Sequence, residues 1–169
     1  MKKTVLTFGL ISGAVSSAMM LATLPYIDSG RLGIADVLGY TSIVLSALLV
    51  FFGIRSYRET AGAGRITFGR GLAVGLLITL VSCACYVVAF EIVYFKLMPE
   101  FGDKFSACMV ERVRASGGTQ QAIDATTTQA QTLKQLYDNP VTNALVTFAT
   151  SFPIGLAVTG ISAAILRKR

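Results

Sequence analysis

Four long apolar stretches, separated by short polar segments and one longer hydrophilic insert, dominate this chain. They cover about residues 4–24, 37–54, 71–95 and 140–166. At about 1.5 Å per residue, each stretch has the length needed to cross a hydrocarbon layer about 30 Å thick. Because a backbone in lipid must satisfy its own hydrogen bonds, each stretch is predicted to be a helix. We therefore expect an all-α integral membrane protein, a four-helix bundle that forms a single domain.

The hydrophilic insert, about residues 96–139, separates the third and fourth stretches. Apolar residues recur every fourth position from Phe105 to Val113, and a second apolar row with helical spacing runs from Ile123 to Tyr137. A Gly-Gly pair, a common helix breaker, lies between the two rows. We predict a helical hairpin over one mouth of the bundle; the alternative is an irregular mobile loop.

Prolines and capping residues predict where the helices begin and end. Pro25 is predicted to end the first helix, and Asp36 to cap the second. Asn139 followed by Pro140 predicts the start of the fourth, with a side-chain cap and a proline at the first helical position. Pro153 lies inside the fourth stretch and predicts a kink there.

Basic residues concentrate at both termini and in the joint between the second and third stretches. Against the single carboxylate of Glu59, the joint carries four arginines: Arg55, Arg58, Arg65 and Arg70. Short segments rich in lysine and arginine stay on the cytoplasmic side of a membrane. We therefore predict cytoplasmic termini, a cytoplasmic joint near anionic lipid headgroups, and an extracytoplasmic insert.

The composition narrows the chemistry available to this chain. Hydrophobic residues make up 53% of it and charged residues 14%, and histidine is absent. The chain therefore lacks the commonest metal ligand and the side chain that titrates nearest neutral pH. Membrane orientation accounts for the net charge of +6, so we predict no nucleic-acid partner. We also predict no cofactor, no metal site and no catalytic residue, and hence that the protein is not an enzyme.

Glu91 is the one acidic residue placed within or beside an apolar stretch. An ionised carboxylate at the bilayer centre is unfavourable by about 2.5–3.5 kcal/mol, which makes such a residue a functional candidate. Its aromatic neighbours instead indicate the outer interface, where the carboxylate can reach water or pair with Arg31, Lys96 or a residue of the insert. Two interpretations remain: a structural interfacial acid, or a group that binds a proton or a ligand.

Cys108 is the one cysteine outside the apolar stretches. In an oxidising compartment a lone cysteine can cross-link two copies or a partner; the alternative is a thiol buried beneath the insert. Cys83 and Cys85, in the third stretch, are two residues apart and point to different faces of a helix. We predict neither a zinc site nor a disulfide between them.

Small residues spaced by four occur in the apolar stretches. Examples are Gly9 with Gly13, Gly71 with Gly75, Gly155 with Thr159, and Gly160 with Ala164. Such rows let helix backbones approach closely in lipid. They predict packing inside the bundle, or a face for homo-oligomerisation or for a partner membrane protein.

The arginine-bearing joint and its flanks resemble a known family. The residues concerned are Leu38-Gly39-Tyr40, Phe52-Gly53-Ile54-Arg55, Tyr57-Arg58, Ile66-Thr67-Phe68-Gly69-Arg70-Gly71 and Tyr86. The pattern is similar to an uncharacterised bacterial membrane family catalogued as domain of unknown function 4199. This resemblance covers about residues 38–95 and implies four spans, an insert before the last span and a bacterial inner-membrane location. Because the family has no settled activity, the resemblance assigns no catalytic residue. Many members have a Gly-Gly turn in the joint, where this chain has Ala63.

Taken with the topology, these features favour a small multi-pass inner-membrane protein without enzymatic function. We expect an accessory or scaffold protein that acts through its helix packing faces and its outward insert. The alternative is a small transporter or channel component in which Glu91 and the kink at Pro153 take part.

Overall fold

The computed structural model describes residues 1–28 and 32–167, and these residues are almost entirely helical. A π-helical turn, Val93–Leu97, continues the third of six α-helices. The helices are α1 (Lys2–Asp28), α2 (Leu32–Ala61), α3 (Phe68–Ile92), α4 (Phe101–Ala115), α5 (Gln120–Asp138) and α6 (Pro140–Leu166).

Four of the helical segments are long and apolar enough to cross a membrane: Lys2–Ile27, Val37–Ala61, Phe68–Leu97 and Pro140–Leu166. In the bundle, α1 packs against α2 and α3, α3 packs against α6, and α2 closes the ring against α6. The predicted all-α architecture with four helices of membrane-spanning length is therefore confirmed.

The helix boundaries differ from the predicted ones at two places. Pro25 lies inside α1, which continues to Asp28, and α2 begins at Leu32, so Asp36 is not its cap. A proline in the last turn removes only one backbone hydrogen bond, and the preference for a capping residue is weaker than the gain from extending the helix. The start of α6 is as predicted, since Asn139 Oδ1 accepts from the backbone N–H of Val141 at 3.0 Å.

One end of the bundle is tightly packed. Its buried apolar cluster consists of Val5, Val50, Ile54, Ile66, Val74, Ile78 and Leu166. These residues come from the beginning of α1, the second half of α2, the joint, the first half of α3 and the end of α6. The N-terminus, the joint and the end of α6 therefore meet at this end, which we call the packed end. Lys168 and Arg169, part of the predicted basic C-terminus, lie outside the described residues.

Glycines make the close helix contacts inside the bundle. A Cβ added at Gly75 would lie 2.7 Å from Thr159 Cγ2, and one added at Gly13 would lie 2.5 Å from Cys85 Cβ. These glycine rows therefore serve packing between α3 and α6 and between α1 and α3. An added Cβ at Gly160 has no neighbour within 4 Å, so a role in oligomerisation for that row stays a prediction.

The joint between α2 and α3 is a tight turn. Ala63 and Gly64 adopt left-handed conformations, with φ of 48° and 81°. A Cβ added at Gly62 would lie 2.1 Å from the carbonyl oxygen of Arg65, so the close approach of the chain requires glycine there. Thr67 caps α3 by accepting from the backbone N–H of Arg70 at 3.4 Å.

The insert forms an antiparallel helical hairpin of α4 and α5, as predicted, and the irregular-loop alternative is wrong. Gly117 has a φ of 74° and ends the first helix, which is why the Gly-Gly pair interrupts the pattern. Thr119 caps α5 by accepting from the backbone N–H of Ala122 at 3.3 Å.

Candidate functional site

A cavity of about 790 Å³ occupies the other half of the bundle and borders the packed cluster at Val50. Residues of α1, α2, α3 and α6 form its walls, and α4 and α5 cover it. Ten serines and threonines line it together with methionines and aliphatic side chains. No aspartate or glutamate is among the described lining residues, and Arg112 is the one charged side chain. We call this half of the bundle the cavity end.

The deepest part of the cavity is lined by hydroxyls that bond to one another across helices. Ser16 and Ser46 join α1 to α2 with an Oγ–Oγ distance of 2.7 Å, and Ser82 donates to Ser12 at 3.0 Å to join α3 to α1. Such links hold helices together in lipid, where burial of apolar surface cannot. We call these four residues, Ser12, Ser16, Ser46 and Ser82, the hydroxyl floor.

A third pair of hydroxyls lies between the hydroxyl floor and the packed end. Thr79 and Thr159 lie 3.1 Å apart, oxygen to oxygen, and join α3 to α6. Thr159 is fully buried, and Thr79 also lines the cavity. The cavity therefore begins where the Thr79–Thr159 contact ends.

The roof of the cavity comes from the insert. The apolar row predicted in α4, Phe105, Met109 and Val113, lines the cavity, which explains its helical spacing. Cys108 also lines the cavity and is half-buried. The structure thus places the Cys108 thiol beneath the insert; cross-linking through this residue stays a prediction.

An aromatic cluster attaches the hairpin to the bundle. The Phe90 ring lies 5.7 Å from Phe101 and 5.8 Å from Tyr137, centroid to centroid, in edge-to-face contacts. The Tyr94 hydroxyl donates to Asp138 Oδ1 at 2.8 Å. These contacts join the end of α3 to both helices of the insert.

A second cavity of about 240 Å³ lies among these aromatic rings. It shares five lining residues with the larger cavity, so the two adjoin: Tyr86, Phe105, Met109, Thr150 and Ser151. Lys134 lines it and forms an ion pair with Asp103 between α5 and α4. The hydrogen bond from Lys134 to Asp103 raises the pKa of the lysine above its ordinary value.

Glu91 does not line either cavity. Its Oε1 atom is shielded from solvent and has no hydrogen-bond partner among the residues that the structure describes. Arg31, one of its predicted partners, lies outside the described residues. Pro153 does not line the cavity either, although its neighbours Ile154 and Gly155 do.

The arginines of the joint lie at the packed end, and none of them lines the cavity. Because α2 runs to Ala61, Arg55 and Arg58 are helical, and both pair with Glu59, at 3.0 and 3.6 Å. Arg70 is exposed in the first turn of α3. The predicted candidates therefore do not form one site.

Sequence reasoning missed the hydroxyl floor. It treated the serines of the apolar stretches only as small residues that permit close packing. A usable signal was present, because Ser12 with Ser16 and Ser42 with Ser46 each place two hydroxyls on one helical face. Cys83 and Cys85 point to different faces of α3, as their spacing predicts: Cys83 lines the cavity, and Cys85 packs against Gly13 of α1.

Comparison with known proteins gives a family. No curated protein and no solved structure matches the chain. A family model described as a protein of unknown function (DUF4199) matches residues 7–168, which includes the insert as well as the joint. The resemblance seen over residues 38–95 is thereby confirmed and extended, and the chain belongs to the DUF4199 family of proteins of unknown function.

Proposed function

We propose that this protein is a non-enzymatic accessory protein of the membrane that holds a hydrophobic small molecule in the cavity beneath α4 and α5. The cavity itself is the observation that carries the proposal. Its volume of about 790 Å³ is within the range typical of ligand sites, about 300–1,000 Å³. Apolar walls with a few convergent polar groups are also typical of such sites.

The lining favours binding over reaction. A serine or threonine hydroxyl becomes a nucleophile when an adjacent base takes its proton. In this cavity the hydroxyls of the floor bond to each other, and no carboxylate is among the described lining residues. The chain has no histidine to serve as that base.

The orientation that we propose places the packed end at the cytoplasmic face of a bacterial inner membrane and the hairpin outside. The arginines of the joint support it, because Glu59 is their only acidic neighbour in that segment. At that face they contact anionic headgroups. In a cysteine-free background, a membrane-impermeant thiol reagent should label Ala125→Cys, an exposed position in α5, in intact spheroplasts. Labelling only after lysis would show that the hairpin faces the cytoplasm and that the proposed orientation is wrong.

Ligand retention tests the proposed function directly. The full chain, extracted from native membranes in a mild detergent, should carry a bound hydrophobic molecule in native mass spectrometry. Gly39 lines the cavity, and a Cβ added there meets nothing within 4 Å, so Gly39→Leu should take up part of the cavity without a clash and lower the occupancy.

Gly33→Leu is the matched control. Gly33 lies in the same helix with equally open space at its Cβ, but it does not line the cavity. The control should retain the ligand. A wild-type protein that emerges empty, or equal occupancy in the two variants, would contradict the proposed function.

A transporter component is the second candidate function, and one observation favours it. The larger cavity adjoins the smaller one, which reaches the Asp103–Lys134 pair on the hairpin. Such a connection could let a bound molecule pass from the bundle towards water. In reconstituted vesicles under a pH gradient, loss of flux in Glu91→Gln would support coupled transport through Glu91, and unchanged flux would remove that role.

Self-association is a further part of the accessory role. Gly160 and Ala164 lie on a face of α6 that also carries the exposed side chains of Ile161 and Ile165. In bicelles, cross-linking of the wild type but not of Gly160→Leu would place a homo-oligomer contact there. Equal cross-linking would exclude this face.

A further inference from the structure

The hydroxyl floor differs from several other serines and threonines of the membrane helices. Those donate to a carbonyl of their own helix: Ser17 donates to Gly13 at 2.7 Å, and Thr150 donates to Val146 at 2.9 Å. This is the usual arrangement for hydroxyls in helices. The floor hydroxyls instead point across to other helices. The Thr79–Thr159 pair is the further hydroxyl contact between helices described above.

Each of the two serine pairs of the hydroxyl floor has one hydroxyl hydrogen that is not used in the bond between the two serines. Ser82 donates to Ser12, so the hydroxyl hydrogen of Ser12 is unused in that bond. Ser16 and Ser46 share one bond, which uses one of their two hydrogens. Within residues 1–28 and 32–167, no hydrogen bond is made by either remaining hydrogen. Because Ser12 is 0% exposed, a ligand can reach that pair only at the partly exposed Ser82, with the bond between the two serines reversed. A buried donor left without an acceptor is destabilising, so an acceptor from outside the chain fits this place.

The charges of the cavity narrow the ligand further. A cation would lose its hydration without gaining a carboxylate, because no acidic residue is among the described lining residues. Arg112 lies in the roof, whereas the floor is formed by uncharged serines, so an anionic group at the floor would also be uncompensated. The group that meets the floor is therefore an uncharged one with acceptor oxygens.

Deepening the proposed function, on which this inference rests, we propose that the cavity binds an uncharged amphiphile whose carbonyl oxygens accept hydrogen bonds from the hydroxyl floor. Its apolar part lies against the methionines of the wall and roof, Met19, Met20 and Met109. Methionine side chains adapt to irregular apolar shapes, so they suit a flexible chain. Two membrane molecules supply this chemistry: a quinone with an alkyl tail and an acyl ester of glycerol.

Binding of defined probes to the purified full chain in detergent tests the inference. Decylubiquinone and dioctanoylglycerol supply the carbonyl oxygens from the two sources, and dodecyltrimethylammonium supplies an apolar chain with a cation. At least one carbonyl probe should bind saturably, and the cation should not. Saturable binding by one carbonyl probe alone identifies the source of the ligand. Tight binding of the cation with none of the carbonyl probes would overturn the inference.

Floor variants show whether the hydroxyls make the bond. The double variants Ser16→Ala with Ser46→Ala and Ser12→Ala with Ser82→Ala should each weaken binding of the carbonyl probe about fivefold, the effect of losing one hydrogen bond between neutral groups; a single substitution would leave the other hydroxyl of the pair free to donate. Ser17→Ala is the matched control and should bind as the wild type does, because Ser17 bonds within α1 and does not line the cavity. Unchanged binding in both floor variants would overturn the carbonyl inference while leaving the ligand site intact.

The thiol of Cys108 provides a second measurement of occupancy that any folded variant allows. Cys108 lines the same cavity, so a bound carbonyl probe should slow its reaction with a small maleimide in a Cys83→Ser, Cys85→Ser background. Absence of protection in the wild type, together with no difference between Gly39→Leu and Gly33→Leu, would overturn the ligand site itself. Protection that persists unchanged in the floor variants would overturn only the carbonyl inference.

Discussion

Helices α1, α2, α3 and α6 pack closely at one end of the bundle and enclose a cavity at the other. At the packed end, Ile54 and Ile78 are 0% exposed, and glycines leave room for them. At the cavity end, serines bond across the helices but do not fill the space between them, and about 790 Å³ remains open. Since close packing is the main attraction between helices in lipid, an unfilled half forgoes stabilisation. The difference indicates that the packed end holds the fold together and leaves the cavity end available for function.

A pair of glycine substitutions should separate the two ends most strongly. Gly75→Leu forces a side chain between Ile54 and Thr159 and should lower the free energy of unfolding by about 1–3 kcal/mol or more, as overpacking does. Gly39→Leu enters open space and should not lower the free energy of unfolding, since the better helix propensity of leucine, worth about 0.8 kcal/mol, favours the folded helix. Unfolding in mixed micelles measures both. Equal losses would mean that the cavity end is as tightly packed as the other.

The bond between Tyr94 and Asp138 should matter for the roof and not for the packed end. Tyr94→Phe removes the hydroxyl that donates to Asp138 at 2.8 Å and should destabilise the attachment of the hairpin by about 1 kcal/mol. Hydrogen exchange should then quicken in α4 and α5 while α1 and the first half of α3 stay protected. Tyr40→Phe is the control, because Tyr40 is 71% exposed. Faster exchange throughout the bundle would show that the two ends unfold together.

Alkaline pH should loosen the roof before the packed end. The hydrogen bond to Asp103 raises the pKa of Lys134 above its ordinary 10.5, and burial raises the pKa of Tyr137 above 10.0. Both groups therefore contribute stability in full below about pH 10, and this contribution is lost as pH rises through the raised pKa values. The helical circular dichroism signal should therefore begin to fall above about pH 10. In Lys134→Met and in Tyr137→Phe this fall should be smaller. An unchanged fall in both variants would show that other groups cause it.

The smallest effect is expected in the turn at the packed end. Ala63 has a φ of 48°, a left-handed conformation unfavourable by about 1–2 kcal/mol for a residue with a Cβ. Ala63→Gly relieves this but also frees the unfolded chain, so the net gain should be about 0.5 kcal/mol. Ala61→Gly, at the end of α2, should instead lose about 0.5–1 kcal/mol because its conformation is helical. A loss of stability in Ala63→Gly as well as in Ala61→Gly would contradict a left-handed conformation at Ala63.

Local features of the sequence predicted most of the helices. The four apolar stretches could only be helices in lipid, and Asn139-Pro140 marked the start of α6 as the structure has it. The hairpin followed from the spacing of Phe105 and its neighbours. Pro25 misled because a proline in the last turn of a helix removes only one backbone hydrogen bond. Asp36 misled because the preference for a capping residue is too weak to outweigh the continuing backbone hydrogen bonds of α2.

The candidate site could not be predicted in the same way. The hydroxyls of Ser12 and Ser82 are brought together from 70 positions apart, and that pairing depends on how α1 and α3 are rotated about their axes. Rotation also decides that Glu91 lies away from both cavities, although its depth in α3 made it a reasonable candidate. The spacing of residues along one chain predicts the helices but not how they are rotated relative to one another.

The π-helical turn between α3 and the hairpin accommodates one extra residue. From Val93 to Leu97 the chain winds one residue wider than an α-helix, and the N–H of Met98 bonds to the carbonyl of Val93 at 2.8 Å. Because a π turn holds one more residue in nearly the same rotation about the axis, deleting one residue here would restore α-helical winding and leave the direction of the hairpin nearly unchanged. This segment is therefore where the connection between α3 and the roof best tolerates a change of length.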